Sequence, residues 1–273
     1  MITKINLKYQ CENICNKGYD ALRLGEKNYG LNYFNECRSI NPHHVRSWAG
    51  MALALEVGGD ISEAKKIIDY ESVVSCQNIH NVMGYASMQD FNCALSEEIL
   101  SRKDLVPSQN HVATLSGWQT RNLLESPSPA INALCAIVMH KFLTYEKTIK
   151  NKFPEYARNR GSLKLRRADA VVVGEVGCQR EHIHEYGYLS AVYYVQVPNN
   201  CNIYDHYKRG HLVFGKSVPQ TKPKFGMSCC PHSGLLVMFP SFYFHKTIPT
   251  QSNQWRISIA FDLIGTEVKE LEL

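Results

Sequence analysis

Long apolar runs are missing from this chain. No stretch of its 273 residues approaches the ~18 uninterrupted apolar positions of a membrane-crossing helix, so no span is expected. The opening MITKINLKYQ has no apolar h-region, which argues against a secretory leader. Charge of one sign is scarce as well. The formal net charge is +5, and no basic cluster stands out beyond Arg158, Arg160, Lys164, Arg166 and Arg167. That run reads as a solvated face, and nucleic acid is not expected as a partner. CxxC pairs are absent although the chain has ten cysteines. They are scattered, several in helix-like apolar contexts where a thiol behaves as a small hydrophobe. A reduced cytoplasmic protein is expected rather than a disulfide scaffold.

What is present falls into two textures. From about residue 12 to 152 apolar residues recur at helical spacing, as in Trp48, Met51, Ala52 and Leu55. An internal echo at an offset of 34 residues pairs Gly25 with Gly59, Phe34 with Ile68 and Ala21 with Leu55. The second copy, RSWAGMALALEVGGDISEAKKIIDY, resembles a tetratricopeptide repeat, with Trp48, Ala52, Gly59 and Ala64 at that motif's packing positions. Small Ala52 and Ala64 let two helices approach, and Gly58-Gly59-Asp60 makes the turn. Fewer than three copies are too few for independent stability, so this region must lean on the rest of the chain. Such hairpins imply a protein or peptide partner. Further helices are expected over 88–102, with Phe91, Leu95 and Ile99 in one stripe, and over 127–150, opened by Pro129. The segment between them, HVATLSGWQTRNLL, reads as a loop or short strand.

After about residue 165 the chain turns to strands: ADAVVVGEV, YLSAVYYVQVP, HLVFG, GLLVMFP and WRISIAFDLIG, bounded by Gly, Pro and Asn. Strands without intervening helices point to an antiparallel sandwich or barrel. The expected class is α+β: helical hairpins over 1–88, then a β domain with flanking helices over 89–273.

The chemistry concentrates in QREHIHEYGYLSAVYYVQVP. His182 and His184 flank Ile183 at an expected strand end, where period two puts both imidazoles on one side. His245 closes the apolar run GLLVMFPSFYFH. Eleven residues later Arg256 opens RISIAFD. Ile257, Ile259 and Phe261 share one parity; Arg256, Ser258 and Ala260 share the other, which is the small, polar face suited to a cavity. An inward arginine there needs an anion. His206, His211 and His232 lie in Gly- and Pro-rich surroundings and read as solvent or rim residues. GHLVFG has no helix after it to bind an anion. Gln119 and Arg121 are near enough in sequence to Trp118 to reach the barrel mouth, but nothing stronger supports them.

These segments resemble the Fe(II)- and 2-oxoglutarate-dependent oxygenases of prolyl-hydroxylase-like type, over about residues 89–265. The resemblance rests on a histidine pair where H-x-[DE] is usual, then a distal histidine, then R-x-S. It implies a double-stranded β-helix of the jelly-roll or cupin-like kind, with Fe(II), 2-oxoglutarate and O2 as cofactors and hydroxylation of a peptide or small metabolite, releasing succinate and CO2. It implies His182, His184 and His245 as metal ligands. Arg256 would bind the distant carboxylate of 2-oxoglutarate with Ser258 and Tyr194, while Tyr193, of opposite parity, packs in the core. The chain departs from the usual pattern in carrying His184 where the carboxylate ligand stands. Glu181 or Glu185 would reach the metal only from a bulged strand, and Glu185 alternatively fixes an imidazole tautomer. Two other readings stay open: a three-histidine metal dioxygenase that ignores 2-oxoglutarate, and an inactive repeat-bearing adaptor.

Overall fold

The computed structural model describes residues 2–109, 113–216 and 226–266. Helices come first: α1 (Ile2–Arg23), α2 (Lys27–Ile40), α3 (Val45–Gly58), α4 (Ile61–Ile67) and α5 (Tyr70–Val73). Their ends follow capping rules. The His44 side chain accepts from Ser47 N at the start of α3, Gly59 ends it in the left-handed region at φ +80°, and Asp60 caps α4. Ala52 and Ala64 are buried at the α3–α4 hairpin. Gly25, the other half of the echo, has a matching φ of +79°.

Helix α6 (Met88–Ser101) buries Phe91, Leu95 and Ile99 as one stripe, and α7 (Pro129–Lys152) starts at the Ser128 cap with Pro129 in its first turn. A four-residue α8 (Pro154–Ala157) follows. Both long helices pack on the larger of two antiparallel sheets. Its order is β1-β8-β5-β10-β4-β3-β2, from β1 (Ser75–Asn78), β2 (Val106–Pro107), β3 (Thr114–Gln119), β4 (Leu163–Gln179), β5 (Leu189–Gln196), β8 (Leu235–Pro240) and β10 (Arg256–Gly265). The smaller sheet is β7-β6-β9, from β6 (Leu212–Phe214), β7 (Met227–Cys229) and β9 (His245–Thr247). The molecule is therefore a mixed helix and antiparallel-sheet protein.

The parity expected of WRISIAFD holds. Ile257, Ile259 and Phe261 are buried on the helix-covered face, where Tyr193, opposite Ile259, donates its hydroxyl to Asn92 of α6 at 2.7 Å. Tyr194 stands opposite Ser258 on the other face.

Four features differ from the sequence reading. The segment 12–152 is not all helical: Ser75–Asn78 is a strand because it completes the edge beside β8, while Thr114–Gln119, in the segment read as a loop or short strand, is a strand paired with β4. The strand read in GLLVMFP ends at Pro240, but the apolar run that His245 closes does not continue in the same sheet. It turns after Pro240, and His245 opens β9 in the other sheet. His182 and His184 lie in a loop, joined to β9 by an isolated bridge at His182. Finally, the chain is not wholly reduced: Cys11 and Cys37 form a disulfide, because α1 and α2 bring their Cα atoms to 5.1 Å, within bridging range. Among the described residues no helix is long and apolar enough to cross a membrane.

Candidate functional site

The loop after β4 and the start of β9 are sewn together by the backbone. His182 N–H donates to His245 O and His245 N–H to His182 O, both at 3.0 Å, while His184 N–H donates to Ser241 O at 3.0 Å. This brings the three imidazoles together, with ring centroids 4.3 Å (His182–His245), 5.1 Å (His184–His245) and 5.2 Å (His182–His184) apart. One ligand nitrogen from each lies within 4.8 Å of the others.

Each ring is oriented by its Nδ1. His182 Nδ1 meets Arg180 O at 2.8 Å, and His245 Nδ1 meets Tyr243 O at 2.9 Å. A carbonyl only accepts, so both Nδ1 atoms carry the proton and both Nε2 atoms present lone pairs. His184 Nδ1 meets Asp262 Oδ1 at 2.6 Å. Its Nε2 is 3.3 Å from His245 Nε2, a spacing that a shared cation relieves and that fits neighbouring ligands of one ion with bonds of about 2.1 Å.

The electrostatics follow the same division. Burial, then the charge on His184, pushes His182 down to about 4. Burial and the two neighbouring rings hold His245 well below the ordinary imidazole value. Burial also works against a charged His184, but the Asp262 carboxylate overrides it and raises its pKa. Asp262 in turn is held low by His184, against its own burial, and accepts from Ser190 Oγ at 2.8 Å. A metal site with neutral imidazoles and one adjacent carboxylate suits a divalent cation.

Beside this cluster is a cavity between the two sheets, lined by His184, His245, Tyr194, Thr247, Arg256 and Ser258 among others. Arg256 is 1% exposed. Its Nη1 donates to Gly210 O and its Nη2 to Thr247 Oγ1, both at 3.1 Å. Its Nε and the Tyr194 hydroxyl are buried without partners. Burial lowers the arginine pKa, with Tyr194 opposing, and burial raises that of Tyr194.

Thus the structure brings His182, His184, His245, Arg256, Ser258 and Tyr194 to one site. The local carboxylates are elsewhere: Glu181 pairs with Lys216 at 2.5 Å and Glu185 lies 3.7 Å from Arg46. His211 is buried rather than at a rim, between Ser228 Oγ and Asn202 O, and His232 meets Asn78 Oδ1. Arg121 is exposed. Two residues that the structure places at this site were missed, Asp262 and Thr247. Asp262 was open to discovery, because it continues the parity of Arg256, Ser258 and Ala260. Thr247 lies two residues past His245 on the same face and offered no stronger signal.

Residues 169–262 match the model of a family described as "Putative 2OG-Fe(II) oxygenase". No curated protein matches the chain. Among solved structures, a prolyl hydroxylase from Trichoplax adhaerens, in complex with a hypoxia inducible factor oxygen degradation domain peptide fragment, is similar at 11% identity and a TM-score of 0.51, over 81% of this chain and 96% of that one. At that identity the likeness establishes fold. A prolyl-4-hydroxylase from Pseudomonas putida also matches, at 16% identity and a TM-score of 0.46, over 72% of this chain and 95% of that one. HygX from Streptomyces hygroscopicus, with nickel and 2-oxoglutarate bound, matches at 13% and 0.44, over 74% and 87%. The matched segment carries the whole three-histidine cluster and Arg256. It marks the chain as a 2-oxoglutarate-dependent oxygenase, whose cofactors are Fe(II), 2-oxoglutarate and O2.

Proposed function

We propose that the chain hydroxylates a C–H bond of a peptide or small metabolite, in a double-stranded β-helix core within residues 89–273. The preceding region, 1–88, contributes Ser75–Asn78 to that core's edge. Its helices form tetratricopeptide-like hairpins, a surface for a protein or peptide partner. His182, His184 and His245 hold Fe(II). Arg256, Ser258 and Tyr194 hold 2-oxoglutarate.

One observation carries this reading. Arg256 is a buried guanidinium in the cavity beside the imidazoles, and among the described residues no carboxylate pairs with it. A buried cation without an anion is costly, and the planar fork of arginine matches a carboxylate. The idle Tyr194 hydroxyl and Arg256 Nε supply the remaining donors. When bound, Fe(II) and 2-oxoglutarate supply the oxidant that converts C–H to C–OH with O2, leaving succinate and CO2. The chain's own contribution is placement. Carbonyls at Arg180 and Tyr243 keep two imidazoles in the ligating tautomer, Asp262 supports the third, and Phe239, 4.7 Å from the His245 ring, helps exclude water.

The test is anaerobic addition of Fe(II) and 2-oxoglutarate. A weak visible charge-transfer band is expected, and Arg256→Ala should lose it at cosubstrate levels that saturate the wild type. No band in the wild type would overturn the reading. The histidine at position 184 favours a second reading, a three-histidine dioxygenase without 2-oxoglutarate. That reading gives Arg256 no reason to face the cavity.

A further inference from the structure

The interior face of the larger sheet carries a second polar row beyond the metal and cosubstrate residues. Strands β10 and β4 oppose Ala260 to Asp169 and Asp262 to Arg167. Directly opposed residues of an antiparallel pair point to one face. Asp169 and Arg167 therefore share the face of Ser258 and Ala260, which line the cavity. One strand further, Gln119 of β3 opposes Val171, which in turn opposes Ser258. The row thus runs from the cavity towards Arg167, whose side chain is 47% exposed.

Asp169 is the unusual member. It is 8% exposed. Its Oδ2 takes both available contacts, from Arg167 Nε at 2.5 Å and Gln119 Nε2 at 3.3 Å. Its Oδ1 is buried with no hydrogen-bond partner. A purely structural arginine–carboxylate pair at that depth would use both oxygens, since an idle buried acceptor costs free energy. A carboxylate oxygen only accepts, so the group that Oδ1 lacks is a hydrogen-bond donor, and a cationic donor makes the stronger bond to a carboxylate.

We propose that Asp169, positioned by Gln119, is the specificity-determining residue for a substrate bearing a protonated amine or guanidinium, as on a lysine or arginine side chain. This rests on the oxygenase reading above. The cation takes Oδ1 without displacing any contact Asp169 now makes, and it orients the substrate over the face that bears the metal ligands. A neutral analogue leaves the oxygen idle and binds less well.

The experiment starts with the anaerobic Fe(II)–2-oxoglutarate complex and its visible band. Blocked amino-acid amides are then titrated in: Nα-acetyl-arginine and Nα-acetyl-lysine amides, and as neutral counterparts the citrulline and norleucine amides. A saturable shift of the band is expected with the arginine or lysine probe, with the neutral counterpart about tenfold weaker or more. Asp169→Asn should erase that difference. The comparison of charged with neutral probes needs no variant, so it decides the point even where the substitution disturbs folding. A band that forms normally but responds to neither charged probe, or alike to charged and neutral probes, overturns this proposal alone. A band that never forms overturns the oxygenase reading, and this proposal with it.

Discussion

Asp262 supplies, from the far side of the His184 ring, the negative charge that a carboxylate ligand at position 184 would bring to the cluster. Its 2.6 Å contact fixes the His184 ring and makes its Nε2 a better donor. Asp262→Asn keeps the shape and removes the charge, so divalent-metal affinity should fall about 10–100-fold, as read by titration with Co(II) or Mn(II). An unchanged affinity would show that His184 needs no such support. At this scale much was legible in the sequence. The H-x-H pair, the distal histidine and the parity of Arg256 and Ser258 all place residues on the site. Asp262 gives no local signal of its partnership, because the sheet brings it to His184 from 78 positions away. Sequence proximity shows neighbours along a strand but not those across it.

At the scale of elements, the helices announced themselves through stripes and first-turn signals, as in the Phe91–Leu95–Ile99 series and at Pro129. Not every short strand did. SCQN is a strand only because β8 has an open edge beside it, and TLSGWQ, with a glycine and two hydroxyl residues, left loop and strand both open. The corner after Pro240 was hidden because the residues on both sides are apolar, so no change of pattern marks the change of sheet. The helical elements are joined by ionic contacts as well as packing. Glu12 of α1 meets His44 Nε2 at 3.1 Å and Arg46 Nη1 at 2.5 Å. The His44 hydrogen bond, aided by Arg46 and opposed by burial, holds the Glu12 carboxyl down at about 2. Its folded value is thus below its unfolded one, so its contribution is present above about pH 4.5 and is lost as pH falls through about 2. Glu12→Gln should therefore lower the denaturation midpoint by a constant amount between pH 5 and 8. That gap should close between pH 4.5 and 2. A gap independent of pH down to 2 would remove the ionic explanation.

At the scale of the whole molecule, the helical region and the sheets share one buried core. Trp48 of α3 is the junction. Its ring stacks on Phe242 at 5.5 Å, meets Phe153 and Tyr156 edge-on, and carries Arg38 at 3.9 Å on its face. Phe242 is three residues before His245, so the N-terminal helices buttress the turn that delivers His245 to the three-histidine cluster. Trp48→Ala should cost about 3–5 kcal/mol, and circular dichroism and tryptophan fluorescence should still report one transition. Two separated transitions would mean that the regions fold apart. The shared core accords with the expectation that the N-terminal helices lean on the rest of the chain; the residue that mediates the contact was not readable from the sequence. The reciprocal backbone bridge between His182 and His245 has a consequence of its own. Main-chain hydrogen bonds that do not pass through the ion tie two of its ligands to each other. Chelation should therefore strip the metal and leave far-ultraviolet circular dichroism unchanged.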